Sequence, residues 1–273
     1  MLSYIANLNE RIKEMKSYKF FLLTLLFFST SAQAFTVDHN FLVSIGAFDA
    51  AKVNFSYTLN AKDYNINSQV TTNGFFNTLY PFTARYDTSG DIFNDKLISR
   101  DYHYTSQSRF KNRSKQVFFD DTGHPISQVV VSNSHKKNRE FSPAPAPADT
   151  FDLQTIMMKI AYQYNQLGFC NSEMTVYDGK RLFNVTVTDY GSEELAISDN
   201  SPYHGTAQRC SLQISKNLND DDDTLWEFAA NKSIDFLIMR DKTSNRPFIA
   251  RVKIKDTPLG ELNAYATDIK IEE

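Results

Sequence analysis

The sequence is poor in the residues that usually advertise chemistry. Its 273 residues include two cysteines, five histidines and one tryptophan. None of the histidines (His39, His103, His124, His135, His204) stands at a helix-based metal spacing from another His, Cys or carboxylate. A His-Glu-x-x-His helix, a Gly-x-Ser-x-Gly elbow and a Gly-rich phosphate loop are all missing, which removes the most recognisable metalloprotease, hydrolase and nucleotide-binding classes. Positive charge is not in excess either: 29 basic and 32 acidic residues are well mixed, for a formal charge of −3. That balance argues against a nucleic-acid partner. With 41% apolar and 22% charged residues, 9 Gly and 8 Pro, the chain is neither disordered nor collagenous.

Long apolar runs are also scarce. The single one, Phe20–Phe28, follows Arg11, Lys13, Lys16 and Lys19 and precedes Ala32-Gln-Ala34. Basic stretch, short apolar core and small-x-small end read as a secretory signal over residues 1–34, cleaved between Ala34 and Phe35. At about 1.5 Å per residue the run spans roughly half a bilayer, too short for a permanent membrane helix. Met15 opens a tidier signal than Met1, so the start is either one. In an oxidising compartment Cys170 and Cys210 read as one bridge, closing a 40-residue loop worth roughly 4 kcal/mol by the chain-entropy model; two free thiols are the alternative. The expected product is an exported periplasmic chain, residues 35–273, that does not span the membrane.

What is present is β-alternation. From Phe35 onward Val, Ile, Thr, Phe and Tyr recur with period two, as in Val53/Phe55/Tyr57/Leu59 and Tyr64/Ile66/Val70. Further strands are expected at 82–87, 96–108, 115–120, 126–132, 174–178, 182–188, 193–198, 206–215, 233–240, 247–255 and 260–271. Asp178-Gly179 is a hairpin turn, and Gly74–Tyr80 reads as a short helical turn. Residues 134–149, basic and then Pro-Ala-rich, read as a surface connection between two sheet halves, 35–133 and 150–273, of one domain. One convincing helix follows, capped by Asp149 or Thr150 and stopped at Gly168, with Leu153, Ile156, Met157, Ile160, Ala161 and Tyr164 as its stripe. About twelve strands and one helix, without βαβ alternation, give a mainly β fold: an antiparallel open, half- or spiral barrel packed against the helix. An outer-membrane barrel is the rival, disfavoured by charges on both strand faces and by the mid-chain helix.

These segments, in order, resemble the DUF3108 family of exported bacterial proteins of unknown function. The likeness rests on Phe41–Gly46, Ala50–Phe55, Tyr64–Gly74, Leu79-Tyr-Pro81, Val117-Phe-Phe-Asp120, Tyr177-Asp-Gly-Lys-Arg-Leu-Phe183 and the closing Pro247–Ile254 and Pro258-Leu-Gly260. At Asp149-Thr-Phe-Asp152 the family's usual proline at the helix entry is absent. The resemblance implies a periplasmic β-rich fold wrapped about a helix, similar in build to lipoprotein-carrier and envelope-integrity proteins. It supplies no catalytic residue and does not extend to the cysteine pair.

The remaining candidates have plain explanations. Asp220–Asp223 lacks the Gly-spaced calcium pattern and reads as a solvated turn, and Glu193-Glu194 points to opposite strand faces. The 22 Phe and 14 Tyr fill a core, line an apolar groove, or both. The expected function is therefore non-enzymatic, without metal or cofactor: binding of an envelope component, either a lipid-like ligand or a partner protein. An envelope hydrolase and a purely structural scaffold are the rivals.

Overall fold

A computed structural model describes residues 34–216, 233–257 and 260–272. The signal segment, Asp220–Asp223 and the Pro258-Leu turn lie outside the described residues. Strands β1 (Phe35–Ile45), β2 (Phe48–Leu59) and β3 (Asp63–Thr72) lead through a six-residue helix α1 (Gly74–Leu79) to β4 (Phe82–Phe93) and β5 (Lys96–Ser108). β6 (Asn112–Phe119), β7 (Pro125–Ser132) and β8 (His135–Glu140) complete a first arm. The second arm runs from β9 (Thr150–Phe151) through helix α2 (Thr155–Leu167) to β10 (Ser172–Tyr177), β11 (Leu182–Leu195) and β12 (Gly205–Lys216). It ends in β13 (Ser233–Arg240), β14 (Pro247–Thr257) and β15 (Gly260–Glu272).

The fifteen strands among the described residues belong to one sheet, in which β1 pairs with β15 and each arm meanders outward to its own edge, β8 or β9. Every pairing is antiparallel except β9 with β10. The fold is thus a mainly β, open barrel-like sheet around one main helix. Most expected strands stand within a few residues of their bounds. The exceptions are instructive: 193–195 extends β11 rather than starting a strand, and residues 135–140, expected in the connection, form edge strand β8. All six residues of β8 are exposed and three are basic, the kind of charged edge that resists further strand pairing.

Alternation places one face of each strand inside. Phe35, Val37, His39 and Phe41 of β1 meet Phe55, Tyr57 and Leu59 of β2 and Tyr64 and Ile66 of β3 in the main core. Helix α2 covers this face with Ile156, Met158, Ile160 and Ala161, each large side chain contributing about 1.5–3 kcal/mol by leaving water. Leu153, expected in the stripe, precedes the helix and is exposed, while Met158 takes an inward place. Gly168 stops the helix as expected, in the left-handed region at φ 73°, with its N–H donating to the Tyr164 carbonyl. Gly90 answers a different need: a Cβ there would collide with the Tyr64 ring and the Ile98 carbonyl. No helix among the described residues is long and apolar enough to cross a membrane.

Candidate functional site

The two arms meet twice. At β1–β15 they share a hydrogen-bonded ladder. On the other side the β9–β11 edge rests, through side chains, on the inward face of β6 and β7. The Asp178-Gly179 turn makes that contact. Asp178 Oδ1 accepts the N–H groups of Lys180 and Arg181 at 2.8 Å each, and Oδ2 accepts Arg181 Nη1 at 3.1 Å. The Asp178 carbonyl accepts Lys115 Nζ of β6 at 2.6 Å, and burial pushes the Lys115 ammonium down, with Asp178 opposing. At Gly179 (φ +84°) a Cβ would lie 2.5 Å from Lys115 Cδ and 2.8 Å from Val117 Cγ2. Tyr177 packs with Tyr102, Val117, Phe119 and Ala146 in a second core. Turn chemistry alone therefore undersells this hairpin: it is the latch of the roll.

Beside the latch lies a buried polar knot. Asp152, with no exposed surface, accepts Thr88 Oγ1 at 2.9 Å and the Gln154 and Thr155 N–H groups at 2.9 and 3.2 Å on one oxygen. Its other oxygen accepts Ser99 Oγ at 2.6 Å and Thr155 Oγ1 at 2.5 Å. The N-cap position of α2 is Gln154, whose side chain makes no cap bond, and Asp152 rather than the expected Asp149 or Thr150 serves the helix entry by accepting the Gln154 and Thr155 N–H groups. Thr150 instead donates to the Pro147 carbonyl. The knot extends to Tyr64, whose hydroxyl lies 3.0 Å from Thr155 Oγ1, and through Gln154 to Ser68 at 2.6 Å. The carboxylate is consumed by structure. A signal for it existed in the sequence, an Asp three residues ahead of a Thr at the start of an apolar stripe.

Above the knot, the seam opens into a cleft of ≈ 620 Å³. Lys96 and Asp149, 3.9 Å apart, line it together with Lys159 of α2 and Glu173 of β10. Thr175, Asn184 and Thr186 present polar side chains from β10 and β11, next to Phe151 and Met174. Burial, reinforced by Lys96, pushes the Lys159 ammonium down. Lys159 makes no ion pair among the described residues, although the carboxylates of Asp149 and Glu173 line the same cleft. By contrast, the enclosed space in the main core, beside His39, Tyr57 and Phe248, leaves ≈ 10 Å³ to the centre of a water molecule, about the least that one water needs. The aromatics around it are packed as core.

The other expected residues are dispersed. Cys170 and Cys210 are bonded, with Cα atoms 6.1 Å apart, tying the end of α2 to β12. Asp189 lies beside them, but its carboxylate accepts the Cys170 and Gly191 N–H groups at 3.1 and 2.8 Å, and sulfurs joined to each other offer no thiolate to a metal. His39 is a core residue stacked on Phe41, and burial pushes its imidazole down to about 4. His103 pairs with Ser114 at 3.1 Å, and His124 stands 3.3 Å from Asp120 in an exposed turn. Glu193 and Glu194 are both exposed, on separate partners, Arg209 and Thr206.

A search of the curated proteins finds no match. Among solved structures, a crystal structure of a beta-barrel-like protein of domain of unknown function DUF1849 from Brucella abortus is similar at 9% identity. That similarity covers 87% of this chain and 98% of the other, with a TM-score of 0.46. The family model described as Protein of unknown function (DUF3108) matches residues 40–267. That match takes in the latch, the polar knot and the Phe41–Ile45 half of the β1–β15 ladder: the chain belongs to the DUF3108 family.

Proposed function

We propose that the protein is an exported, non-enzymatic binding protein of the bacterial envelope, and that the seam cleft receives an anionic group of an envelope component. Lys159 carries this reading. A half-buried ammonium that makes no ion pair among the described residues is costly unless something negative completes it, whereas Lys96 beside it is already paired with Asp149. The flanking Thr175, Asn184 and Thr186 can hydrogen-bond a headgroup or sugar, while Phe151 and Met174 offer apolar contact. A disulfide-bonded chain with no membrane-spanning helix among its described residues is consistent with export.

Native mass spectrometry of protein recovered from the periplasm tests this. The wild type is expected to retain an anionic adduct, and Lys159→Glu, which reverses the charge in the cleft, is expected to lose at least nine-tenths of it. An adduct carried equally by both proteins would place binding elsewhere.

A further inference from the structure

The first arm has two unlike ends. Strand registers align Ala51 with Thr72, Thr71 with Thr83, Phe82 with Ser108, Gln107 with Asn112 and Arg113 with Ser132. The connections at 46–47, 73–81, 109–111 and 133–134 therefore lie along one end, and those at 60–62, 94–95 and 120–124 along the other. The first end carries exposed apolar side chains from three connections: Phe48, 61% exposed, Phe75, 61%, Leu79, 59%, and Phe110, 77%. Helix α1 buries none of its six residues, so its Phe and Leu do nothing for the core.

Charge divides the same way. Residues 73–86, 102–119 and 123–139 hold eight Lys or Arg and no Asp or Glu, in a chain that is net negative. Five of them, Arg109, Lys111, Arg113, Lys136 and Lys137, are exposed at the first end, and none makes an ion pair among the described residues. The opposite end carries Asp63, Asp91, Asp95, Asp120, Asp121 and Glu140 against Lys62, Lys96 and Arg100, while the first end also holds exposed Asp49 beside Phe48.

We propose that this first end is a docking surface for the anionic face of a phospholipid bilayer. Aromatic and leucine side chains on connection tips can enter the headgroup layer, where amphipathic and aromatic groups are favoured. Lysines and arginines behind them are attracted by anionic lipid over a Debye length of about 8 Å at physiological salt. The acidic opposite end orients the molecule by repulsion. Each signal is weak alone; together they meet the two-signal requirement for stable peripheral attachment. The seam cleft opens beside Lys96, in the turn region of the opposite end, so docking leaves it accessible.

Vesicle co-sedimentation of protein recovered from the periplasm tests the proposal. Vesicles of phosphatidylcholine with about a third phosphatidylglycerol are expected to bind the protein at least tenfold better than pure phosphatidylcholine, with the gain lost in half-molar salt. Reversal of four charges (Lys111→Glu, Arg113→Glu, Lys136→Glu, Lys137→Glu) is expected to abolish the gain. Phe75→Ser with Phe110→Ser is expected to cut binding about tenfold on the same vesicles. All six positions are exposed, and an unchanged melting temperature confirms that the variants fold. No preference for anionic vesicles, as an acidic protein partner would give, overturns the proposal, as does binding that survives charge reversal.

Discussion

The two places where the arms meet are built from different materials. The β1–β15 ladder joins the first and last strands of the sequence by backbone hydrogen bonds from Thr36 opposite Glu272 to Ile45 opposite Leu262, with one register shift between Asn40 and Phe41. The latch seam has almost no ladder: a hairpin tip, a lysine, a buried aromatic cluster and the capped entry of α2. One backbone hydrogen bond crosses nearby, from Asp149 N–H to the Thr122 carbonyl at 2.9 Å. A ladder resists opening because each residue contributes a bond and neighbours must break together. A docked edge can lift as a unit, since its own strands remain paired. Hollows do not separate the two seams: a cleft of ≈ 620 Å³ lies at the latch, and one of ≈ 590 Å³ lies over β1 and β2 beside the ladder, with Phe41 and Thr267 in its lining.

The largest expected effect attacks the latch side at its base. Asp152→Ala removes the acceptor of three hydroxyls and two N–H groups, all buried. Leaving such donors unpaired costs roughly 1–3 kcal/mol each where water cannot enter, so a loss of about 5 kcal/mol is expected. Urea denaturation checks it; a change below about 1 kcal/mol would mean that the knot is not what holds α2 to β4 and β5.

The ladder side carries its own probe. His39 titrates at about 4 when folded, because burial disfavours its charged form, against about 6.5 when unfolded. Between those values the unfolded chain binds the extra proton, so stability is full above about pH 6.5 and falls as pH drops towards 4. The expected loss is about 3 kcal/mol, absent in His39→Leu. Denaturation midpoints from pH 7.5 to 4.5 report it, and identical slopes in wild type and variant would remove His39 as the cause.

How much of this asymmetry the sequence carries follows from what each feature depends on. Period-two alternation at Val53–Leu59 and Tyr64–Ile66 is local, and it placed those side chains correctly because a strand inverts its faces at every residue. The Asp178-Gly179 turn was equally legible. Its docking on Lys115 and Val117 was not, since nothing near residue 178 specifies a surface sixty residues away. The β1–β15 pairing joins residues more than two hundred positions apart, which only the folded sheet reveals. Residues 135–140 misled for a chemical reason: an exposed edge strand is selected for charge, and charge reads as a loop. The helix cap was missed by two or three positions because Asp149, Thr150 and Asp152 can all cap, and tertiary donors at Thr88 and Ser99 decide among them.

The smallest expected effect is the most direct. Gly179→Ala strains a left-handed backbone and pushes Val117, so a loss of about 2 kcal/mol is expected, confined to the latch. Amide hydrogen exchange followed by NMR in wild type and Gly179→Ala separates the two seams. The expected result is faster exchange at Asp149 and across the 177–182 hairpin, with the amides of Leu42, Val43, Ala264 and Tyr265 in the ladder unchanged. Equal acceleration at both seams, or none at either, would contradict a sheet held by a ladder on one side and a latch on the other.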